Sequence, residues 1–253
     1  MTDQSTLPPE YKNFRVIGGY KQILVPLAEK LSIQLDTVVR RVEHSSAGVV
    51  VHTEQRGRRV SYRARAVVVA VPVAVLAADA IEFSPALPSA KVDAFKAVPQ
   101  VPIAKVLMEF DHRVLPAGAD DIAEAGMSEL MFMWNASQET PGFAGQVVGM
   151  GADGEEASRL LAMPRERRHA ELLDWIRCVA GDRKVEPVKA VEHEWAKDPF
   201  ARAAFSEYGA PGADVIYEPV NNTLFWAGVI TDQVDFSHDS GKETAADLLK
   251  RLK

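Results

Sequence analysis

Residues 224–241 read LFWAGVITDQVDFSHDSG, and this stretch decides the kind of fold that the chain adopts. It opens with LFWAG, a short apolar run of the kind that forms a fully buried strand. It runs into SGKETAADLLKRLK (240–253), whose apolar residues recur at helical spacing. Ser240 and Glu243 fit an S-x-x-E capping box, which predicts that the terminal helix begins at about Ser240. A buried strand that leads into a helix is typical of an α/β protein.

Four polar residues with possible chemical roles lie between this strand and the predicted helix: Asp232, Asp235, His238 and Asp239. Carboxylates and an imidazole can serve as acid–base groups, and carboxylates are hard oxygen ligands for divalent cations. Aspartate also gathers before helices because it caps free N–H groups and suits the helix dipole. Both interpretations stay open. The other histidines form no H-x-H or H-x-x-x-H pair, so we predict no metal site.

The rest of the chain predicts mixed sheets. A β-meander comes first, and short polar turns separate its segments SIQL, VVRRVEHS, GVVVHTE and RVSYRA. It ends in the apolar strand Val67 to Val71, which Pro72 stops. Further strands are predicted at AKVLMEF (104–110), ELMFMWN (129–135), QVVGM (146–150) and KAVEHEW (189–195), and helices in EEASRLLAM and RERRHAELLDWIRCVAG. No regular βαβαβ series is present, so the predicted class is α/β with α+β-like mixed sheets.

Composition argues against several classes of partner. The 253 residues are 47% hydrophobic and 25% charged, as in ordinary globular proteins. A net charge of -6 predicts no nucleic-acid partner and no anionic membrane surface. No apolar run approaches ~18 residues, and the start MTDQSTLPPEYKNF does not resemble a signal peptide. Cys178 is the one cysteine, so we predict no internal disulfide and a cytoplasmic location. The arginines of RERRHAE (165–171) are predicted to line a solvated helix face.

A formal G-x-G-x-x-G occurs at Gly149, Gly151 and Gly154, between a predicted strand and a predicted helix. In a dinucleotide site such glycines let the backbone approach a pyrophosphate at a helix N-terminus. That fingerprint also needs a second strand that ends in an acidic residue about 20 residues later. A second helix follows here instead, so we interpret these glycines as unrelated to dinucleotide binding.

Lys105 lies inside the otherwise apolar strand AKVLMEF. Alternation places Lys105, Leu107 and Glu109 on one face of this strand and Val106 and Met108 on the other. A buried lysine would have a lowered pKa and could hold a water or act as a base. A lysine that faces solvent would be structurally ordinary, and the pattern leaves both possibilities open.

Five segments, taken in order along the chain, carry a family resemblance. They are FRVIGGYKQILVPLAEKLSIQLDTVVRRVEH, then RARAVVVAVPVAVL with IEFSPALPSAKVDAF, then IAKVLMEF, HEWAKDPFARAAFSEYGAPG and LFWAG with SGKETAADLL. Together they resemble the flavin-dependent amine oxidases, the family of monoamine oxidases, polyamine oxidases and the histone demethylases of the same fold. The resemblance spans roughly residues 14–253.

The resemblance implies roles for particular residues. Val39 would be the neighbour of the FAD adenine, and Lys105 would hold a water against the flavin N5. Phe205 stands where an aromatic residue faces the flavin. The segment QVVGMGADGEEASRLLAM stands where the family has a strand and a helix of its substrate domain, which agrees with our interpretation of the glycines.

The chain also departs from the family's pattern. The family opens with a Rossmann unit that carries the dinucleotide glycines, and this sequence begins at about the family's midpoint. Val229 stands where the family often has a glutamate that contacts the cofactor. Phe236 and Ser237 replace a Gly-Ala pair that comes close to the flavin ring, and a phenylalanine there should clash. These departures predict that flavin binding is lost.

We therefore expect a flavin-free descendant of an amine oxidase that binds an apolar small molecule and catalyses a non-redox cyclisation or isomerisation without a cofactor. The predicted catalytic groups are Lys105, Asp235 and His238, and the predicted cavity-lining residues are Met131, Met133, Trp134, Phe205 and Phe236. One alternative is half of a two-chain FAD-dependent amine oxidase, in which Val39 and Val229 contact the cofactor. Another is a non-catalytic binding or scaffold protein.

The predicted organisation has four parts: a polar lead-in (1–13), remnant flavin-domain strands (14–88), a substrate-type domain (89–205) and a closing strand with its helix (206–253). Half of an interlocked fold would expose apolar surface. We therefore expect a homodimer, or a partner chain that covers the missing half.

Overall fold

The structure is a computed structural model that describes residues 16, 18–116, 121–123, 131–137, 140, 142–207, 212–230 and 234–253. Of residues 121–123, 131, 213, 234 and 235 only the backbone is described. The elements are α1 (Lys21–Ala28), β1 (Thr37–Ser45), β2 (Gly48–Gln55), β3 (Arg58–Ala64), β4 (Val67–Val69), α2 (Val73–Ala77), β5 (Glu82–Ser84), α3 (Ser89–Ala97), β6 (Gln100–Val101), β7 (Ile103–Phe110), β8 (Asp121–Ala123), β9 (Met131–Asn135), β10 (Gln146–Asp153), α4 (Gly154–Leu161), α5 (Arg165–Ala180), β11 (Lys189–Glu192), β12 (Phe205–Ser206), α6 (Ala213–Tyr217), β13 (Leu224–Trp226) and α7 (Val234–Arg251). The predicted mixed α/β class is confirmed. Within the described part of the chain, no helix is long and apolar enough to cross a membrane.

The chain divides into two compact units. Unit 1 comprises residues 1–33 and 102–193, and unit 2 comprises residues 34–101 and 194–253. The borders of these units differ from those predicted at residues 89 and 205, and the flavin-type and substrate-type parts stay predictions. Helix α3 belongs to unit 2 because Phe95 packs there in one core with Trp226, with 5.5 Å between their ring centroids.

Unit 1 is built on a five-stranded antiparallel sheet with the order β11-β7-β10-β9-β8. Strand β7 alternates as predicted, with Val106, Met108 and Phe110 buried and Lys105 and Leu107 exposed. The buried residues join one hydrophobic core with residues of α4 and α5. The helices therefore cover one face of the sheet, and the face with Lys105 is the opposite one.

A buried ion pair fastens α5 to the sheet of unit 1. The Arg168 guanidinium lies 2.7 Å from the Glu192 carboxylate on β11, and both side chains are only 1% exposed. Arg168 also donates to the carbonyls of Leu160 and Met163 at the end of α4. The prediction that the arginines of this segment are all solvated is wrong for Arg168, because a partner from a strand beyond the helix neutralises it.

Unit 2 contains the predicted β-meander in a four-stranded sheet with the order β3-β2-β1-β5. A separate two-stranded parallel sheet pairs β4 with β13, with Leu224 opposite Val67 and Trp226 opposite Val69. Trp226 lies in the core of this unit, where it contacts Phe83 and Phe95. The segment LFWAG is thus the buried strand that its composition predicts.

Helix α7 begins at Val234, not at Ser240, so the predicted capping box is wrong. The Ser240 hydroxyl instead accepts a hydrogen bond from the Gly228 N–H at 3.1 Å. Thr244, one turn further along, donates to the Trp226 carbonyl at 2.8 Å. Both hydroxyls therefore hold α7 against the end of β13.

Candidate functional site

The face of the unit 1 sheet that the helices leave uncovered brings Lys105 together with two aromatic residues and two glycines. Gly151 on β10 pairs with Lys105 on β7 and with Phe132 on β9. Gly149 pairs with Leu107 on one side and Trp134 on the other. Directly paired residues on neighbouring strands point to the same face, so these residues form two adjacent rows across the sheet.

The glycines of β10 leave the space that the aromatic rings of β9 occupy. A Cβ at Gly149 would lie 2.2 Å from the Trp134 ring, and one at Gly151 would lie 2.4 Å from the Phe132 ring. The two rings stack with 5.6 Å between their centroids and 28° between their planes. We call these four residues the aromatic platform. Because both glycines serve this packing within an antiparallel sheet, the G-x-G-x-x-G is not a phosphate-binding turn.

The Lys105 ammonium lies at the edge of the aromatic platform. Its Nζ is 5.8 Å from the Phe132 ring centroid and 5.9 Å from that of Trp134. At such distances the ring faces attract a cation. The side chain is exposed, so the solvent-facing interpretation of Lys105 is the one that the structure supports. A positioned ammonium beside an uncovered apolar surface can donate hydrogen bonds to a bound water or ligand.

Met133 has to be removed from the predicted cavity-lining set. It is 1% exposed and belongs to the core beside the helices, on the face opposite to Trp134. The predicted set mixed the two faces of one strand, although alternation places Phe132 with Trp134. Phe132 is the residue that the sequence reasoning missed. The side chain of Met131 lies outside the described part of the structure.

Unit 2 carries a cavity of about 970 Å³ beside strand β1. Its volume lies within the range of protein sites for small molecules and cofactors. Apolar residues and charged residues of both signs line it, among them Val39, Val71, Phe200, Asp36, Arg40, Glu54, Arg56 and Arg202. Arg40 is ion-paired with Glu54, and Arg56 with Asp36. Val39, which the resemblance assigns to the adenine, therefore lies at this cavity. The other lining residues were not predicted because they come from segments far apart in the sequence.

The remaining predicted residues of unit 2 lie in varied surroundings. Val229 is 2% exposed and its side chain lies in the hydrophobic core. Its carbonyl accepts a hydrogen bond from the Val73 N–H. Phe205 is half-buried on β12, where it pairs with Val101. Phe236 is 46% exposed near the start of α7. The roles predicted for these residues stay predictions.

The polar residues after β13 form part of a helix surface. The His238 imidazole lies 3.4 Å from the Asp239 carboxylate, and both side chains are about half exposed or more. The Lys242 ammonium lowers the pKa of the Asp239 carboxyl, with a smaller contribution from His238. This is the pattern of a solvated ion cluster. Lys105 belongs to unit 1 and His238 to unit 2, and the side chain of Asp235 lies outside the described part of the structure.

A search for metal-binding groups gave no site. Among the described residues, no three histidine, cysteine, aspartate or glutamate side chains are placed to hold a metal ion.

Two features describe the candidate site. One is the sheet face with Lys105 beside aromatic rings, and the other is the cavity of about 970 Å³ beside the β-meander. Comparisons with known proteins identify the family. A family profile described as flavin containing amine oxidoreductase matches residues 3–249. The chain therefore belongs to the flavin-containing amine oxidoreductase family.

Particular relatives agree with this assignment. The chain is 32% identical over 232 residues to lysine-specific histone demethylase 1 homolog 3 of Arabidopsis thaliana, a match that covers 85% of this chain and 14% of the relative. It is 28% identical over 180 residues to polyamine oxidase 6 of Oryza sativa subsp. japonica, covering 70% of this chain and 36% of the relative.

Solved structures show the same fold. A putrescine oxidase bound to putrescine superimposes with a TM-score of 0.79 at 21% identity, covering 93% of this chain and 54% of that one. The cyclohexylamine oxidase of Brevibacterium oxydans gives a TM-score of 0.73 at 21% identity, covering 92% of this chain and 53% of that one. The chain thus spans about half the length of these oxidases.

These findings overturn the expectation of a protein without a cofactor, because the family that the chain belongs to is flavin-containing. Val39, to which the resemblance gives the position beside the adenine, lines the cavity of unit 2, and its role stays a prediction. The predicted clash of Phe236 with a flavin stays a prediction.

Proposed function

We propose that this chain supplies the amine-binding face and the adenine end of the FAD site of a flavin-dependent amine oxidase. The observation that carries the proposal is Lys105 at the edge of the aromatic platform, on the sheet face that the helices leave uncovered. The chemistry that bound FAD would supply is the two-electron oxidation of an amine to an imine, with release of one proton. Family membership and the cavity at Val39 support this assignment.

Each residue has a physical role in this proposal. Val39, Val71 and Phe200 offer apolar walls for an adenine, and the ion pairs Arg40–Glu54 and Arg56–Asp36 offer hydrogen-bonding groups in the same cavity. In unit 1, Lys105 donates a hydrogen bond to a water that it holds in place. A lysine fixed in this way orients the water and places positive charge where the reaction develops negative charge.

The surroundings of Lys105 favour an amine with an apolar body. Next to the aromatic platform the same face continues with Leu107 and Val191, which are 38% and 48% exposed. Along β7 this face next carries a carboxylate at Glu109, about 13 Å from Lys105 at ~3.3 Å per residue. Glu109 is therefore too far from Lys105 to pair with the second ammonium group of a short diamine. That group would lie on the apolar surface or near Lys105 itself. We propose a monoamine with a ring or a long aliphatic chain as substrate.

The non-redox hypothesis was built on the absence of flavin, and it loses its basis with that correction. The predicted homodimer or partner chain stays a prediction.

Flavin reduction tests the proposed function. The chain is mixed with FAD without oxygen, and the loss of visible flavin absorbance is followed after cyclohexylamine, putrescine or a methyl-lysine peptide is added. We expect cyclohexylamine to reduce the flavin at least about tenfold faster than putrescine, because burying a second unpaired charge costs more than 1.4 kcal/mol. Reduction by none of the three amines contradicts the proposed function. Faster reduction by putrescine or by the peptide keeps amine oxidation and overturns the proposed substrate class.

A further inference from the structure

An arginine-rich strand, β3, forms one edge of the antiparallel sheet of unit 2. Five arginines lie within residues 56–65, and no aspartate or glutamate occurs in that segment. Two of them are engaged nearby, because Arg56 pairs with Asp36 and Arg65 donates to the Leu252 carbonyl. The chain as a whole has a net charge of -6. This edge is therefore a positive region on an acidic chain.

The other three arginines of this strand are available to a ligand. Arg58, Arg59 and Arg63 are exposed, and within the described residues their guanidinium groups make no hydrogen bond and no ion pair. Glu54, which lies opposite Arg59 on β2, is already paired with Arg40 at 3.1 Å. Guanidinium groups suit carboxylates, because their planar donors can form two parallel hydrogen bonds to one carboxylate.

The backbone of β3 is also unpaired along its outer side. The strand order is β3-β2-β1-β5, so β3 has a neighbouring strand on one side only. Throughout the described ranges, its backbone pairs with no other backbone than that of β2. One residue in two along an antiparallel strand turns its N–H and C=O away from the neighbouring strand. These groups can pair with an added strand.

The side chains of β3 define which added strand would match. Arg59 and Arg63 point to one face of the sheet, and Val60 and Tyr62 to the other, because side chains alternate along a strand. Val60 is half-buried and Tyr62 is 39% exposed. Arg59 and Arg63 lie about 13 Å apart at ~3.3 Å per residue. A matching strand therefore has carboxylates opposite the arginines and apolar residues opposite Val60 and Tyr62.

Other occupants match this edge less well. An antiparallel pair of two β3 strands centred on Ser61 would put arginine against arginine, with Arg59 opposite Arg63. Like charges directly opposite each other destabilise a sheet. A nucleic acid has no amide and carbonyl groups at strand spacing, and the net charge of -6 repels it. Charge and backbone geometry together favour an acidic peptide.

We propose that the outer edge of β3 binds an extended acidic segment of a partner protein, which adds to the sheet as a fifth strand. Main-chain hydrogen bonds hold the segment, and Arg58, Arg59 and Arg63 select carboxylates at the matching positions. The inference uses no cofactor and no residue of the amine site, so it stands apart from the proposed function.

The probe is the peptide acetyl-Glu-Val-Thr-Val-Glu-Glu-amide, which matches residues 58–63 in antiparallel pairing. It is titrated at low salt into the ¹⁵N-labelled chain, and amide shifts and amide exchange are followed by NMR. We expect the shifts to centre on β3, and exchange to slow at least about fivefold at every second amide of this strand. Binding should weaken as salt is added, because salt screens exposed charges.

Variants and a modified peptide separate the two parts of the inference. Arg59→Gln combined with Arg63→Gln keeps the backbone edge and removes two charges, so it should weaken binding at least about threefold. Arg167→Gln combined with Arg183→Gln is the matched control, because it changes the net charge equally at exposed residues of unit 1. It should bind like the wild type. A peptide N-methylated at the amides that face β3 keeps its carboxylates and should bind at least about tenfold more weakly.

Several results would overturn the inference. Absence of peptide binding, or β3 amides that are all protected in the chain alone, would mean that the edge takes no added strand. Equal binding of a peptide with glutamine in place of glutamate would show that the arginines only keep the edge from pairing with other strands. Equal binding of the N-methylated peptide, or equally tight binding of a thymidine hexanucleotide, would show a surface for any polyanion in place of a strand site.

Discussion

The two units of this chain are each left open, but they offer different chemistry. The sheet of unit 1 has helices on one face, and on the other it shows the aromatic platform and Lys105. In the parallel pair of unit 2, β13 is buried, whereas on β4 Val68 is 39% exposed and, within the described residues, its backbone N–H and C=O make no backbone hydrogen bond. Side chains on a sheet face suit a small molecule, whereas unpaired backbone at a sheet edge suits another strand. The kind of ligand that a surface binds therefore has to be inferred from the groups that the surface exposes.

The largest effect is expected at Lys105, which tests whether the uncovered face of unit 1 binds the amine. Lys105→Met should slow flavin reduction by the best amine about 10²–10³-fold, the usual range for the loss of a positioned hydrogen-bond donor that stabilises developing charge. Because the side chain is exposed, stability should change by less than about 0.5 kcal/mol. Lys189→Met removes an exposed lysine from the same sheet and serves as the control. Equal rates for both variants would show that the uncovered face is not the amine site.

Substitutions on the covered face of unit 1 should lower the free energy of unfolding and leave the rate of flavin reduction unchanged. Glu192→Gln removes the partner of buried Arg168 and should cost about 3–5 kcal/mol of unfolding free energy, measured in urea. Glu186→Gln makes the same chemical change at an exposed ion pair with Arg177 and should cost less than about 1 kcal/mol. Similar losses in the two variants would mean that Arg168 is not buried as described.

The aromatic platform should be sensitive to a single methyl group. Gly149→Ala puts a Cβ where the Trp134 ring lies, so the ring has to move. We expect the free energy of unfolding to fall by about 1–3 kcal/mol and the near-ultraviolet circular dichroism of the tryptophans to change. Gly241→Ala is the matched control, because a Cβ there meets nothing within 4 Å and the residue lies inside helix α7. The free energy of unfolding of that variant should rise by about 0.5–1 kcal/mol. Loss in both, or in neither, would contradict the packing of the platform.

Lys91 gives unit 2 a pH dependence. It is 3% exposed, donates to the Ile216 carbonyl at 3.0 Å and lies 4.9 Å from the Trp226 ring centroid. Burial lowers the pKa of Lys91 to about 8 from its ordinary 10.5, against an opposing effect of Glu218.

Between these two pH values the unfolded chain binds more protons at this residue, so raising the pH favours the folded state. Relative to Lys91→Met, the wild type should gain up to about 1.4 kcal/mol per pH unit above pH 8. Urea unfolding of both proteins across this range measures the difference. A constant difference would show that Lys91 titrates as it does in water.

Patterns confined to one strand were predictable from the sequence. Alternation in AKVLMEF separated Lys105 from Val106 and Met108, although it left open which face is buried, and the apolar run LFWAG was a buried strand. The same rule applied strictly to MFMWN would have grouped Phe132 with Trp134 and sent Met133 to the core. That error came from treating all apolar residues of a strand as one set.

Features made by distant segments were not predictable. Arg168 looks like its solvated neighbours until Glu192 arrives from a strand beyond its helix. The cavity of unit 2 joins Val39, Val71 and Phe200, which no local pattern connects. The expectation of a flavin-free protein rested on the expected absence of a Rossmann unit and on the changes at Val229 and Phe236, and the match to a flavin-containing family overturns it.

Equilibrium dialysis of the chain against FAD, ADP and FMN tests the central claim most directly. The claim is that unit 2 holds the adenine end of FAD in the cavity beside Val39. We predict that FAD and ADP bind and compete for one site, and that FMN, which has no adenine, does not bind. Binding of FMN as strong as that of FAD, or binding of none of the three, would contradict the account.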